Sequence, residues 1–331
     1  MPNREPISLA NVEHAAVAGR DARNVDESTG RFPTTSKVGF VGLGHMGTAM
    51  ATNLAAAGHR VSAYVRRPDQ ISTLSALGVA PTLNLTELFD CEIVISMLPD
   101  DNAVREIVFG RDNAGLAMGL MPDAIHLSMS TISTAAAAEF AAEHRRHRQA
   151  YVAAPVFGNP DAAKARQLFI VAAGAPVDVE RCRRLIDNLG QLFVVGEDPA
   201  QANLMKLLGN MMTATALEVL GEVITVLRKR GQDPQPFVDI MTRTMFGGRV
   251  HRIYGGKIVA ESYAPGLIMP LALKDVRLAL AEAEQAAVTM PSVGVVRDRL
   301  ITGIARGHAG LDWTALGLVA AEEAGLEFVV P

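Results

Sequence analysis

Short apolar runs alternate with amphipathic segments over the N-terminal part of the chain. The apolar, strand-like runs lie at 38–41, 60–65, 91–97, 124–129, 150–153, 168–173 and 191–195. The intervening helices are predicted to begin near residue 45 and to cover 69–77, 103–108, 133–147 and 177–189. Strands that alternate with helices predict an α/β fold with a doubly wound, mostly parallel sheet, whose ligands bind at the carboxyl ends of the strands.

The pattern changes to purely helical after residue 197. Asp198 is a good N-cap and Pro199 a good first helical residue, and no strong break follows before Gly231. This predicts one helix of about 33 residues, roughly 50 Å long. Further helices are expected at 236–244, 271–289, 292–306 and 313–324.

These patterns divide the chain into three parts. Residues 1–36 hold few large apolar residues and are expected to form a flexible tail; 37–197 form the α/β domain and 198–331 an all-helical domain. The long helix is expected to connect the two domains. Apolar stripes on so long a helix suit a second subunit, so we expect a homodimer or homotetramer formed through the helical domain.

A glycine-rich turn follows the first predicted strand, in the segment VGFVGLGHMGTAM at 38–50. In a GxGxxG turn the first glycine allows the tight turn, the second lets a pyrophosphate approach and the third lets helix and strand pack closely. The helix N-terminus would then bind the phosphates. A purely structural turn is the alternative. The predicted cofactor-binding residues of this turn are Gly42, Leu43, Gly44, His45, Met46 and Gly47.

The end of the second predicted strand indicates which dinucleotide is bound. An acidic residue there would hold the ribose 2′-hydroxyl of NAD, but Arg66 and Arg67 occupy the position. Paired guanidinium groups suit a 2′-phosphate, since they donate charge-assisted, bidentate hydrogen bonds. The sequence therefore favours NADP(H), with NAD(H) possible; an ordinary solvated loop is the alternative.

Composition excludes several classes of partner. The 331 residues are 49% hydrophobic and 20% charged, and a net charge of -4 argues against nucleic acid. Two cysteines without CxxC spacing fit a reducing, cytoplasmic compartment. No apolar run reaches the roughly 18 residues of a membrane span. His144 and His147, in EHRRHRQ, are expected on a solvated helix face, and no metal site is predicted.

Three polar residues on the long helix are candidates for catalysis. Asn203, Lys206 and Asn210 are spaced by three and four and so share one face, among leucines and methionines. A lysine beside a nicotinamide could protonate a carbonyl oxygen as hydride arrives, or remove the proton of an alcohol in reverse. A solvated polar trio is the alternative.

Six motifs in order carry a family resemblance: the glycine turn, MLP at 97–99, MSTIS at 129–133, APVFG at 154–158, LMKLLGN at 204–210 and LALKDVRLAL at 271–280. Together they resemble the β-hydroxyacid dehydrogenases, the 3-hydroxyisobutyrate dehydrogenase and tartronate semialdehyde reductase type of the 6-phosphogluconate dehydrogenase superfamily. The resemblance implies a Rossmann domain and a helical domain, and hydride transfer between NADP(H) and a small hydroxy acid, aldehyde or ketone.

The resemblance also implies roles for individual residues. Lys206 would be the catalytic acid and base and Asn210 would hold the substrate, with Ser130 as a further substrate residue. The residues implied to line the cofactor and active-site cleft are Leu98, Pro99, Thr131 and Lys274.

The substrate segment departs from the family pattern. The family commonly has DAPVSGG, whereas this chain has Phe157 in place of the serine, then Gly158, and Asn159 in place of a glycine. A phenyl ring there favours a bulkier or less charged substrate, unless Phe157 turns into the core. Two alternatives therefore stay open: an imine reductase-like enzyme, although those usually carry Asp or Tyr in place of Lys206, and a non-catalytic NADP-binding module, as in relatives without the lysine.

Overall fold

The computed structural model describes residues 37–110 and 114–327, and the segment 1–36, for which a tail is predicted, lies outside them. The strands are β1 (Lys37–Val41), β2 (Arg60–Tyr64), β3 (Ala80–Thr82), β4 (Ile93–Ser96), β5 (Ile125–Ser128), β6 (Ala150–Ala153), β7 (Val156–Phe157), β8 (Leu168–Ala173) and β9 (Gly190–Gly196). The helices before residue 198 are α1 (His45–Ala56), α2 (Gln70–Ala76), α3 (Asp101–Phe109), α4 (Leu116–Gly119), α5 (Thr134–Arg146), α6 (Pro160–Lys164) and α7 (Pro176–Asp187).

The described strands form one nine-stranded sheet in the order β3-β2-β1-β4-β5-β6-β8-β7, with β9 also paired to β8. The ladders from β3 to β6 and the β8–β9 ladder are parallel, and β8 runs antiparallel to β6 and β7. The predicted mostly parallel, doubly wound α/β sheet is confirmed. The sequence did not reveal β3, β7, α4 and α6, since elements of two to five residues are too short to show a period.

The central strands are apolar throughout because helices cover both faces of the sheet. β4 and β5 are buried along their whole length. Phe40 and Ile95 point into one apolar cluster, whereas Val41 and Val94 point into another on the opposite face. The carboxyl ends of these strands are thereby held rigidly at one edge of the sheet.

A long helix begins the helical part of the chain. α8 (Pro199–Lys229) has 31 residues, and its N-cap Asp198 accepts a hydrogen bond from the backbone N–H of Ala200 at 3.0 Å. The helices that follow are α9 (Gln235–Arg243), α10 (Arg249–Val259), α11 (Met269–Gln285), α12 (Pro291–Ala305) and α13 (Leu316–Glu323). The sequence predicted each of these except α10, whose glycine pair obscures the helical period.

α8 is the central helix of this part of the chain and packs against α10, α11, α12 and α13. A Cβ atom at Gly221 would lie 2.7 Å from the Cα atom of Gly317, so the two glycines let α8 and α13 cross closely. By length and composition alone α8 could span a membrane, but 44% of its most apolar stretch is buried inside the protein. The core helix of a protein that crosses no membrane can pass the same test of length and composition.

The histidines of α5 correct one expectation. His147 is half-buried beside Glu143, but His144 is fully buried, so the predicted solvated face is wrong at that position. His144 contacts His126 through Nε2 and Nδ1 at 2.9 Å and Gln149 through Nδ1 and Oε1 at 2.7 Å. Burial lowers the pKa of His144 to about 4. Its position in the helix turns it toward the sheet, which EHRRHRQ does not reveal.

Candidate active site

The glycine turn adopts a conformation that requires glycine at its first and third positions. Gly42 has φ +97°, and a Cβ atom there would lie 2.2 Å from the carbonyl oxygen of Met97. A Cβ atom at Gly47 would lie 1.9 Å from the carbonyl oxygen of Gly42, whereas the space beside Gly44 is open to 4 Å. The first and third glycines therefore close the turn, and the second leaves room for a group to approach.

The N-terminus of α1 is free to bind an anion. Its N-cap is Gly44, which supplies no side-chain cap, and no acidic residue lies in the first turn. Unpaired N–H groups and the helix dipole favour negative charge at such an end. The turn thus fits the pyrophosphate of a dinucleotide.

A cavity of about 740 Å³ lies next to this turn, at the carboxyl edge of the sheet. It brings together all twelve residues predicted to bind the cofactor: Gly42, Leu43, Gly44, His45, Met46, Gly47, Arg66, Arg67, Leu98, Pro99, Thr131 and Lys274. The turn follows β1, the arginines follow β2, Leu98 and Pro99 follow β4, Thr131 follows β5 and Lys274 comes from α11. The cavity thus has the size to hold a dinucleotide, and the residues that line it offer hydrogen-bond donors for its phosphates.

The two arginines are exposed at the end of the cavity where the chain leaves β2. Arg67 Nε lies 3.8 Å from an Asp69 oxygen, and both side chains of that pair are about 70% exposed (70% and 69%). An ion pair this exposed contributes little. The guanidinium groups are therefore available for a phosphate.

A buried hydrogen-bonded chain runs from α8 to α11. Lys206 Nζ donates to Asn210 Oδ1 at 2.7 Å, and Asn210 Nδ2 donates to Asp275 Oδ2 at 2.6 Å. Lys274 Nζ lies 3.0 Å from Asp275 Oδ1 and also donates to the backbone carbonyl of Thr131. Two adjacent residues of α11 thus connect Lys206 to the end of β5.

Burial changes the acidity of Lys206, whose side chain is only 7% exposed. Loss of hydration disfavours the ammonium form and lowers the pKa of Lys206 to about 8, an effect that Asp275 opposes and Lys274 reinforces. A lysine with a pKa near 8 can both give and take a proton at neutral pH.

Lys206 and Asn210 do not themselves line the described part of the cavity wall. They reach it through Asp275, which does. Asn203, one turn earlier on α8, is also buried, and its Oδ1 atom has no hydrogen-bond partner among the described residues. The predicted polar face of α8 is therefore buried at the base of the site instead of being solvated.

The structure places the predicted substrate residues in different settings. Phe157 Cζ would lie 2.4 Å from a Cβ atom at Gly209, and Lys206 Nζ lies 4.3 Å from the centroid of the Phe157 ring. The Asn159 side chain caps α6 by accepting from the N–H of Ala162 at 2.9 Å. Between them, Gly158 is exposed, with φ +147°.

Ser130 lies below the surface of the site. It is fully buried, and its Oγ atom accepts a hydrogen bond from the backbone N–H of Leu98 at 2.8 Å. Ser130 thereby joins the ends of β4 and β5 and holds Leu98 beside the cavity. In this arrangement its hydroxyl positions the cavity wall.

Sequence reasoning missed part of the cavity wall. The missed residues include Tyr64, Gln70, Glu106, Leu271 and the loop 265–268. Gln70 and Tyr64 flank the arginines in sequence, which is the only signal that could have found them. The loop before α11 carries no motif and reaches the cavity only through the fold.

No group of three or more His, Cys, Asp or Glu side chains suited to a metal ion occurs within 37–110 and 114–327. The polar side chains that the structure connects at this site are an amine, an amide and a carboxylate.

Comparison with known proteins matches both parts of the chain to family models. Residues 37–196 match the NAD-binding domain of 6-phosphogluconate dehydrogenase, and residues 200–320 match the NAD-binding domain of NADP-dependent 3-hydroxyisobutyrate dehydrogenase. The two matches together cover the glycine turn, the arginines and the buried chain on α8 and α11.

Several whole proteins are similar over nearly their full length. The uncharacterized oxidoreductase YfjR of Bacillus subtilis is 36% identical over 284 residues, which is 85% of this chain and 98% of that protein. The 2-hydroxy-3-oxopropionate reductase of Escherichia coli is 29% identical, over 85% of this chain and 95% of that protein. The structure of Mycobacterium tuberculosis 3-hydroxyisobutyrate dehydrogenase with L-serine superimposes with a TM-score of 0.76 at 25% identity, covering 86% of this chain and 98% of that one.

Proposed function

Because the chain belongs to the β-hydroxyacid dehydrogenase family and is an NAD(P)-dependent oxidoreductase, we propose that Lys206 is its general acid and base. In this proposal the enzyme interconverts an alcohol with the corresponding aldehyde or ketone. The observation that carries it is the buried amine of Lys206, with a pKa of about 8, connected through Asn210 to Asp275 at the wall of the cofactor cavity.

The reaction needs one hydride and one proton, and the chain supplies the proton. The nicotinamide provides or accepts the hydride when the cofactor is bound. In reduction the Lys206 ammonium gives a proton to the carbonyl oxygen, and in oxidation the neutral amine removes the proton of the hydroxyl group. Asn210 Oδ1 accepts a hydrogen bond from Nζ and so fixes where that proton is held.

We assign NADP(H) as the preferred cofactor, with NAD(H) possible. The glycine turn and the N-terminus of α1 would hold the pyrophosphate, and Arg66 and Arg67 the 2′-phosphate. Exposure of both guanidinium groups at the cavity supports the assignment. The twelve residues named above form the cofactor site, with Lys206 and Asn210 as catalytic residues and the segment 157–159 on the substrate side.

We further propose two domains, 37–197 and 198–331, in a cytoplasmic homodimer or homotetramer that binds no nucleic acid or membrane. Separate apolar clusters on the two sides of residue 197 support the division. An apolar groove of about 780 Å³ lies between α8 and α9, and Met212 in its lining is 78% exposed. Apolar surface left exposed in this groove supports association through the helical domain. Light scattering should give a lower molar mass for Met212→Glu than for the wild-type oligomer. The control Val177→Glu, at another exposed position, should keep the wild-type molar mass.

The catalytic role of Lys206 is tested by following NADPH oxidation with aldehydes, ketones, keto acids and a cyclic imine. Lys206→Ala is expected to lose nearly all turnover while NADPH affinity changes only a few-fold, since Lys206 does not line the cofactor cavity. Lys229→Ala, an exposed lysine of the same helix, is the matched control. Full turnover by Lys206→Ala would remove the lysine from the mechanism, and reduction of the imine alone would favour an imine reductase.

A further inference from the structure

Phe157 is held firmly in place by the backbone around it. β7 pairs antiparallel to β8, with Val156 opposite Ile170 and Phe157 opposite Phe169. Val156 is buried in the core, so the alternation of the strand turns Phe157 to the other face. The next residues, Gly158 and the α6 cap Asn159, fix the end of the segment.

The ring of Phe157 lies close to the amine of Lys206 and to the backbone of α8 at Gly209. Its centroid is 4.3 Å from Lys206 Nζ, and a Cβ atom at Gly209 would overlap with the ring at 2.4 Å. Gly209 lies three residues after Lys206 and so faces the same way. The absence of a side chain at Gly209 makes room for a phenyl ring directly beside the reactive amine.

The polar groups around the amine are already engaged with one another. Lys206 Nζ donates to Asn210, and Asn210 Nδ2 donates to Asp275. Lys274 Nζ donates to the Thr131 carbonyl and pairs with Asp275. Apart from the remaining N–H groups of Lys206, a substrate carboxylate at this place would have to break these bonds to find donors, and it would lie close to the carboxylate of Asp275.

The ring itself also disfavours an anion. The face of an aromatic ring carries the negative part of its quadrupole, which attracts the ammonium group and repels a carboxylate. A buried anion without directed donors is costly, whereas an apolar group gains from contact with the ring. The environment beside the amine therefore matches an uncharged substituent.

We propose that Phe157 determines the substrate class: the carbonyl compound places an uncharged alkyl or aryl group against this ring, and compounds with a carboxylate in its place are discriminated against. The inference rests on the redox function proposed above and deepens it. The reaction is the same: the carbonyl carbon takes the hydride, the oxygen takes the proton of Lys206, and the dinucleotide is oxidised.

The experiment compares each carboxylate with its methyl ester, using 4-oxobutanoate and 4-formylbenzoate with NADPH. The wild type is expected to show kcat/KM at least tenfold higher for the esters. Phe157→Ser should reduce this ratio by about tenfold to 100-fold, the range for apolar contacts in a specificity pocket. Phe157→Leu should keep the ratio within about threefold of the wild type, because it stays apolar.

Phe193→Ser is the matched control, since Phe193 is a 43% exposed phenylalanine of the same sheet. Its ester-to-acid ratio should equal that of the wild type. Circular dichroism and NADPH affinity establish that each variant is folded; if Phe157→Ser does not fold, the wild-type ratio of ester to acid still decides, since equal values would overturn the inference.

The possible results distinguish failure of this inference from failure of the proposed function. Equal kcat/KM for acid and ester, with turnover that still depends on Lys206, would overturn the role of Phe157 alone. A ratio unchanged in folded Phe157→Ser would do the same. Absence of Lys206-dependent turnover with all four compounds would contradict the proposed function and this inference together.

Discussion

Replacing Lys206 by methionine should make the protein inactive and more stable at the same time. The side chain is 7% exposed, and burial lowers its pKa from 10.5 to about 8. Folding at neutral pH therefore moves a charged ammonium group into a site that disfavours its charge. Methionine keeps the length and flexibility of the side chain but carries no charge, so Lys206→Met removes that cost.

The size of the effect follows from the pKa. A tenfold change in a protonation equilibrium corresponds to about 1.4 kcal/mol, so lowering the pKa of Lys206 from 10.5 to about 8 costs about 3 kcal/mol at pH 7. Methionine leaves Asn210 Oδ1 without its donor, which costs about 1 kcal/mol or more. We therefore expect Lys206→Met to raise the free energy of unfolding at pH 7 by about 1 to 2 kcal/mol.

The pH dependence gives the sharper signature. Between the folded pKa of about 8 and the unfolded value of 10.5, the unfolded chain binds more protons at Lys206, so wild-type stability rises with pH there. The advantage of the methionine variant should therefore shrink by about 2 kcal/mol between pH 7 and pH 9.5. Other titrating groups cancel in the difference between the two proteins.

Urea unfolding of the wild type, Lys206→Met and the control Lys229→Met, each at pH 7 and pH 9.5, measures these differences. Lys229 is exposed in the last turn of the same helix, so its replacement should change stability by less than about 0.5 kcal/mol at either pH. A destabilised Lys206→Met, or a difference from the wild type that does not depend on pH, would refute the description of Lys206 as a buried amine with a depressed pKa.

Three further predictions concern the cofactor, the helix crossing and the buried histidine. Joint replacement of Arg66 and Arg67 by alanine should lower the kcat/KM preference for NADPH over NADH at least tenfold, at about 1.5–3 kcal/mol per charge-assisted bond; an unchanged preference would contradict it. Gly221→Ala should lower the free energy of unfolding by about 1–3 kcal/mol through the clash with α13. The control Gly256→Ala, with open space around it, should raise this free energy by up to about 1 kcal/mol, and equal changes of the two variants in urea unfolding would argue against the close crossing. Between pH 7 and pH 5 the wild type should lose about 2 kcal/mol of stability through His144, because its folded pKa is about 4 and the unfolded chain takes up a proton first. His144→Gln should lack this part of the loss, and denaturation curves with the same pH dependence as the wild type would exclude the prediction.

Much of the lining of the cavity could be predicted because its signals are local. The glycine spacing at 42–47 and the arginines after β2 each lie within a few residues of a strand end, and parallel strands bring such ends together. The helical period likewise placed Asn203, Lys206 and Asn210 on one face of α8. The periodicity did not reveal whether that face was solvated or buried.

Other features depend on residues far apart in the chain. Asp275 pairs with its neighbour Lys274, but its hydrogen bond to Asn210 joins residues of two helices that are 65 positions apart in the sequence. His144 was expected in solvent and is buried against His126. In both cases the deciding neighbour comes from another element, so no local pattern contains the information.

The sequence alone determined the α/β sheet with its glycine turn, the long helix and the presence of an amine on it, because periodicity, caps and backbone conformation act over a few residues. Only the tertiary structure decided how far that amine is buried and therefore how acidic it is. The ring of Phe157, packed against Gly209, and the carboxylate of Asp275 approach the amine from two other elements, β7 and α11, and their packing sets its hydration and therefore its acidity. Desolvation depends on every neighbour in three dimensions, and that is why a protonation state is a property of the fold.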